Sequence, residues 1–248
     1  MLLLGSGGWI PTTRRETCSA YLRNGNSVLL IDAGTGLQRL VERPDLLEGA
    51  GDVHIVLTHF HLDHVVGLSY LPALPLDRPP VLWGPGRQLY GTSTAAILGP
   101  LLARPLFASP LAQLVSETRE VPDGEFEAGG FRVESRAQER HADPTLALRI
   151  EDVLAYCTDT AMDGGNAGFA RGTRVLLHEA WFAEDTSTDE GHTAAGDAGK
   201  VATEAGVESL VLIHVNPLVR DEDELRRCAQ RRFPDAQVGV DLLELEPA

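Results

Sequence analysis

The chain of 248 residues carries 21 Lys and Arg against 36 Asp and Glu, a formal net charge of −15, and 43% of it is apolar. That balance excludes a disordered, collagenous or coiled-coil chain and leaves volume for one large domain or two fused halves around a full core. It also disfavours a large nucleic-acid duplex as partner, because affinity for phosphate backbones rests on Lys and Arg displacing counterions. A small anionic substrate stays open, since bound divalent cations reverse the sign of the local field.

The opening Met1-Leu2-Leu3-Leu4 has no basic flank and ends at Gly5, too short for a signal peptide or a spanning helix. It reads as a first strand, in a cytoplasmic protein with no membrane partner. Ala20-Tyr21-Leu22, Val28 to Ile31 and Val53 to Leu57 follow as strands, the last two apolar throughout and so buried on both faces. Between them Leu37, Leu40 and Val41 have helical spacing, which Pro44 stops. A Pro- and Leu-rich stretch from Leu71 to Leu114 reads as irregular, either a substrate lid or a subunit contact. Further strands are predicted at Phe131 to Val133, Leu146 to Ile150, Val153 to Cys157, Val175 to Leu177 and Leu210 to Ile213, with Glu151-Asp152 as a two-residue hairpin turn. Ala194, Ala198, Val201, Ala202 and Ala205 mark one face of a helix from about Thr193 to Ala205, closed by Gly206. Glu222 to Arg232 forms a last helix with Leu225, Cys228 and Ala229 inward. Cys18, Cys157 and Cys228 are too scattered for a disulfide framework or a cysteine zinc site, and read as small buried hydrophobes.

The chemistry concentrates in His59-Phe60-His61-Leu62-Asp63-His64, directly after the buried strand that ends at Leu57. Three imidazoles and a carboxylate within six residues are ligands suited to divalent transition metals. In extended or turning backbone His59 and His61 point the same way and chelate one ion, whereas Asp63 and His64, entering a helix near His64, are aimed toward a second. On a surface such a cluster would mean little, but the apolar flanks Val53 to Leu57 and Val65 to Leu68 would bury four polar groups without partners. Further candidate ligands are His141, Asp159 and His214, the last two at carboxyl ends of predicted strands, where α/β proteins gather their sites. A carboxylate can bridge two ions, and Asp159 is the choice for that place.

His59-Phe60-His61-Leu62-Asp63-His64 resembles the H-x-H-x-D-H signature of the metallo-β-lactamase fold, and the later His, Asp and His come in that superfamily's order across essentially the whole chain. The resemblance implies one domain over residues 1–248, a four-layer αββα sandwich of two mixed β-sheets flanked by helices, with a dinuclear site at one edge of the sheets. Carried over residue by residue, it implies His59, His61 and His141 on the first ion, Asp63, His64 and His214 on the second, and Asp159 between them. Asp32 matches the family's buried structural carboxylate and is not counted as a ligand. The ions implied are zinc, with manganese or iron as alternatives.

His178-Glu179-Ala180, Gly191-His192-Thr193 and the loop Gly5 to Thr12 with Arg15 are similar to motifs of ribonuclease Z and its phosphodiesterase relatives, although Trp181 and Thr193 stand where Thr and Ser are usual. The implied catalytic groups are Asp63, which orients or deprotonates the nucleophile, and His192, which protonates the leaving oxygen with Glu179 orienting it. A carboxylate beside an imidazole favours the protonated ring, which supports His192 as a general acid independently. The implied reaction is attack on phosphorus by a hydroxide shared between ions about 3.5–4 Å apart. The basic arm with which ribonuclease Z grips transfer RNA has no counterpart: Lys200 is the chain's one lysine, and His141 and Asp159 leave room for a hairpin alone. Transfer-RNA maturation is therefore doubtful, a small anionic or phosphodiester substrate is expected, and a homodimer is what many family members form. Two other classes stay open, a carbonyl hydrolase of lactonase, thioesterase or β-lactamase type on the same ions, and a non-hydrolytic module that binds a small anion. No role is assigned to Trp9, Trp83 or Trp181, since buried packing is the usual fate of an indole.

Overall fold

Continuous apolar runs become strands covered on both sides. Along Ser27–Ile31, Val28 and Leu30 pack with helices on the outer face, while Leu29 and Ile31 pack between the two sheets. The structure, a computed structural model, describes residues 1–138, 140–184 and 191–246; most of the polar segment after Glu184 lies outside them. Its strands in chain order are β1 (Leu2–Gly5), β2 (Ser19–Asn24), β3 (Ser27–Ile31), β4 (Asp52–Val56), β5 (Val81–Gly84), β6 (Glu117–Glu120) and β7 (Gly124–Ala128), then β8 (Phe131–Gln138), β9 (Thr145–Ile150), β10 (Leu154–Cys157), β11 (Val175–Glu179), β12 (Ser209–Ile213), β13 (Gln237–Val238) and β14 (Leu243–Glu244). They form two seven-stranded mixed sheets, ordered β14-β1-β2-β3-β4-β5-β6 and β13-β12-β11-β10-β9-β8-β7.

The two sheets repeat one pattern. In each, antiparallel pairings run inward to a central strand, β3 or β10, and parallel pairings continue from it, through β4, β5 and β6 or through β11, β12 and β13. Helices α1 (Gln38–Glu42), α2 (Leu62–Val65), α3 (Gly86–Tyr90), α4 (Thr94–Leu98) and α5 (Leu111–Leu114) belong to the first half, and α6 (Gly165–Ala170), α7 (Ala195–Ala205) and α8 (Glu222–Gln230) to the second. Buried Leu40, Val65, Leu98 and Leu111 carry helices of the first half onto its sheet, and Ala198, Ala202 and Leu225 do the same in the second. A third layer of apolar side chains, with Leu29, Val56, Leu148 and Tyr156 among them, joins the sheets face to face. This is the four-layer αββα sandwich.

Several local expectations need correction. The stretch from Leu71 to Leu114 is not irregular throughout: Val81-Leu82-Trp83, bracketed by prolines, forms β5 beside β4, and Leu74, Leu102 and Leu114 enter the first core. Val41 is 43% exposed: a 3-10 turn at Thr35–Leu37 precedes α1, and of Leu37, Leu40 and Val41 only the first two face the core. Residues 151–153 connect β9 to β10, one more than a two-residue turn, with Glu151 at φ 53 and the Val153 N–H donating to Ile150 O. The helix near His64 begins earlier, at Leu62, and the alanine-rich helix begins at Ala195 and ends, as expected, on left-handed Gly206. The three cysteines are buried and unpaired with one another.

Candidate metal centre

The site lies at the carboxyl ends of the parallel strands in both sheets, the edge where crossover connections leave room for side chains. Asp32 follows β3, His59 to His64 follow β4, Asp159 follows β10, Glu179 ends β11 and His214 follows β12. Asp32, Asp159 and His214 all take left-handed backbone, at φ 59, 50 and 50. A non-glycine residue there costs on the order of 1–3 kcal/mol, and three of them at one edge mark a place where geometry is held against local preference.

Every expected ligand converges. The ligand atoms of His59, His61, His141 and Asp159 lie within 4.8 Å of one another, as do those of Asp63, His64 and His214, and those of Asp159, His192 and His214. Asp159 stands between the groups: its Oδ1 is 3.9 Å from His59 Nε2, 3.7 Å from His141 Nε2 and 3.3 Å from His214 Nε2, and its Oδ2 is 3.1 Å from His64 Nε2. Asp63 Oδ2 lies 3.5 Å from His64 Nε2 and 3.4 Å from His214 Nε2, and accepts the Trp9 N–H at 2.6 Å.

Hydrogen bonds on the far ring nitrogens set which atom each imidazole offers. Asp32 accepts from His64 Nδ1 at 2.9 Å and from the Thr58 N–H at 2.8 Å and hydroxyl at 2.9 Å. That hydroxyl has its proton on Asp32, so it accepts from His59 Nδ1 at 3.0 Å. His141 Nδ1 donates to Gly191 O at 2.7 Å, and His61 Nε2 meets Asp143 at 3.2 Å, leaving Nδ1. His59, His64 and His141 therefore turn Nε2 to the cluster. This is the outer-shell orientation that metal-ligating imidazoles need.

A divalent cation fits this set. His59 Nε2 is buried and makes no hydrogen bond, a state costing about 1–3 kcal/mol unless something coordinates the lone pair. The electrostatics point the same way. Burial alone would raise the Asp159 carboxyl, but the His214, His64 and His59 rings outweigh it and hold Asp159 well below the usual carboxylate range. Asp63 is likewise lowered, against its burial, by His64 and His214. His64 is raised well above the usual imidazole range, against its burial, because Asp159, Asp63 and Asp32 surround it and demand positive charge. His59 is pushed down by burial and by His64, so its neutral ring is ready to ligate.

Beside the cluster, His192 Nδ1 lies 2.8 Å from Glu179 Oε2. Glu179 is fully buried and also accepts the Thr160 N–H. Burial pushes its carboxyl up, the His214 ring opposes this and the Asp159 charge adds to it; the contact itself is a hydrogen bond that fixes the His192 ring against Glu179. The two motifs meet because the Trp181 N–H donates to Thr193 O at 2.9 Å and Phe182 bridges Ala194.

Sequence reasoning missed Trp181. Its indole lies 4.3 Å from the His192 ring at 15° and 5.2 Å from the His214 ring at 27°. Trp83 is buried as expected, but Trp9 is 58% exposed beside Asp63. The signal available for Trp181 was its place two residues after Glu179. On and just after α8, Arg226, Arg227 and Arg231 pair with Asp223, Asp221 and Glu184.

Residues 28–215 match the Beta-lactamase superfamily domain, and the chain belongs to that superfamily. Ribonuclease Z of Streptomyces avermitilis is 29% identical over 99% of this chain and 96% of its own, and ribonuclease Z of Methanopyrus kandleri is 31% identical over 97% and 95%. Among solved structures, the metallo-beta-lactamase fold protein YhfI of Bacillus subtilis superposes with a TM-score of 0.79 at 22% identity, covering 99% of this chain and 98% of its own. Human tRNase Z, short form, superposes with a TM-score of 0.71 at 18% identity, covering 99% and 98%. The protein is thus a metal-dependent hydrolase of the ribonuclease Z-like phosphodiesterase branch. The alignment with the Streptomyces relative spans 293 positions, more than the 248 residues present here, so that relative holds segments with no counterpart in this chain. Among the described residues no helix is long and apolar enough to cross a membrane.

Proposed function

We propose that the chain hydrolyses small phosphodiesters at a dinuclear centre, with His59, His61 and His141 holding one ion, Asp63, His64 and His214 the other, and Asp159 shared. Zinc is the ion that this set of imidazoles and carboxylates suits, with manganese and iron as the alternatives. When bound, such ions acidify water toward neutral pH and stabilise negative charge on phosphoryl oxygens. Asp63, anchored by the Trp9 N–H, orients the attacking water. His192 delivers a proton from Nε2 to the departing oxygen, and Glu179 fixes the ring by accepting at Nδ1.

The observation that carries this reading is the Glu179 and His192 pair, whose ring lies 4.8 Å from His141 and 5.6 Å from His214. Expelling an alkoxide from phosphorus needs a proton donor placed beside the ions, and this pair supplies one. A short β9 to β10 connection and the net charge of −15 favour a small diester over a long RNA. The test is elemental analysis of the purified protein together with turnover of bis(p-nitrophenyl) phosphate and a lactone panel. Two divalent ions per chain and diester turnover are expected; a metal-loaded protein that opens lactones and leaves the diester intact would overturn the reading.

A further inference from the structure

The loop from Ser6 to Glu16 touches two residues of the cluster. The Trp9 N–H donates to Asp63 Oδ2 at 2.6 Å, and Gly8 lies so close to the His214 ring that a Cβ built there would meet its Cε1 at 2.5 Å. Both contacted residues belong to the group of Asp63, His64 and His214. The tip of the loop does not hold itself in place. Trp9 takes left-handed backbone at φ 63, closed by the Ile10 N–H donating to Gly8 O at 2.8 Å, a tight turn that a bulky side chain adopts against its local preference. The restraint comes from Asp241, whose side chain is 6% exposed. Its Oδ1 accepts the Ser6 N–H at 3.0 Å and the Ser6 hydroxyl at 2.7 Å, and its Oδ2 accepts the Glu16 N–H at 2.7 Å and the Arg39 guanidinium at 3.1 Å. One carboxylate thus grips both ends of the loop. Residues 239–242 are themselves tied to both sheets, by the Gly239 N–H donating to Leu212 O at 2.8 Å and the Leu242 N–H donating to Leu3 O at 2.7 Å. From Ser6 the restraint passes on to the residue after His214, since Ser6 O accepts the Val215 N–H at 3.1 Å.

We propose that Asp241 is a positioning residue for one half of the metal centre: acting through this loop, it sets Asp63 and His214 for the second ion and has no part in holding the first. The inference rests on the dinuclear assignment in the proposed function above. A carboxylate is what the place demands, because four donors converge on its two oxygens and one of them is charged. An amide would turn its NH2 toward either the Ser6 N–H or the Glu16 N–H, leave that donor unsatisfied and release one end of the loop. A released tip lets Trp9 relax from its left-handed backbone, which takes its N–H off Asp63 and loosens Gly8 from the His214 ring.

The test is zinc binding by the full chain, stripped of metal and titrated against a chelator so that the ions are counted and their affinities read separately. Asp241→Asn is expected to weaken one ion about tenfold, the lower end of what losing a ligand's hydrogen-bond support costs, and to leave the other at wild-type affinity. In a His214→Ala background, which lacks a ligand of the second ion, the same substitution is expected to change nothing further at the remaining ion, which assigns the weakened one to the group of Asp63, His64 and His214. Ser6→Ala removes one of the two Ser6 bonds, spares the carboxylate and leaves Arg15 its bond to Gly239 O. It is expected to weaken the same ion about threefold, and it decides the matter if Asp241→Asn fails to fold. Equal weakening of both ions would mean that Asp241 supports the fold in general, and wild-type affinity at both would remove it from the site; either result overturns the proposal. A wild-type chain that binds fewer than two ions defeats the dinuclear assignment itself, and the role of Asp241 with it.

Discussion

Glu179 Oε2 and His192 Nδ1 meet at 2.8 Å across thirteen residues of sequence, the carboxylate fully buried at the end of β11 and the imidazole half-buried before α7. With Nδ1 committed to Glu179, Nε2 is the nitrogen that serves the cluster. His192→Ala should leave the ion content unchanged and lower kcat by about 10²–10³-fold, within the range of a lost general acid. Glu179→Gln keeps an acceptor and removes the charge, and should cost about tenfold. Elemental analysis alongside kcat decides: loss of an ion in His192→Ala would make His192 a ligand instead of an acid, since Asp159 and His214 also stand within coordinating reach of it.

Asp32 is the common anchor of two ligands. It accepts from His64 directly and from His59 through the Thr58 hydroxyl, and Tyr156 adds a donor at 3.3 Å. In Asp32→Asn an amide N–H would face His64 Nδ1, driving the proton to Nε2 and blocking the ligating lone pair. Ion affinity should fall about 10–100-fold, as measured by chelator competition, and excess metal should restore much of the activity. Wild-type affinity in this variant would remove Asp32 from the orientation of the site.

The first ligand motif was legible because its six residues are contiguous and locally ordered: His59–His61 lie in the turn after β4, and Leu62–His64 open α2. Asp159 and His214 were legible as candidates from their place at the ends of predicted strands, but which ion each of His141, Asp159 and His214 serves came by resemblance, since each is a lone polar residue beside a strand and nothing in its neighbourhood fixes what it faces. The central strands stood out because burial on both faces makes them apolar at every position after the first, as in β3 and β12, which each open on a serine. Edge strands such as β6, with the sequence Glu-Thr-Arg-Glu, carry no such pattern, because their pairing is set by β5 beside them and not by their own side chains. Trp181 carried one signal, its nearness to Glu179, but its contacts are ring stacks across two separate motifs, which spacing along the chain does not encode.

Gly8 is held to glycine by His214. A Cβ built there would sit 2.5–2.6 Å from the His214 ring atoms Cε1, Nδ1 and Nε2, nearly equidistant and therefore above the ring face. Gly8 is itself tied down, with its N–H donating to Val215 O at 3.1 Å, so the imidazole has to give way. Gly8→Ala should displace His214, lower occupancy of the Asp63, His64 and His214 group, and reduce kcat/KM by at least about tenfold, the effect of a roughly 1 Å misplacement being larger still. Thermal unfolding of the metal-free protein should change little, because the core strands are untouched. Full occupancy and activity in the variant would show that the loop yields in place of the histidine.

His178 contributes one pH-dependent part of the stability. It is buried in β11, its Nδ1 donates to Glu179 O at 3.0 Å, and its Nε2 has no hydrogen-bond partner. Burial lowers its pKa to about 4, against about 6.5 in an unfolded chain. The unfolded state therefore binds the extra proton between those values, and stability rises with pH across that window. The contribution is complete above about pH 6.5, is lost as pH falls toward 4, and amounts to about 3 kcal/mol by the size of the shift. His178→Asn keeps a donor for Glu179 O and removes the titration. Urea unfolding of both proteins at pH 7, 5.5 and 4.5 should show the variant less stable at pH 7 and the gap narrowing steadily toward pH 4.5. Loss of metal at acid pH affects both chains alike and cancels in the difference, so parallel curves would mean that His178 accepts its proton without unfolding the strand.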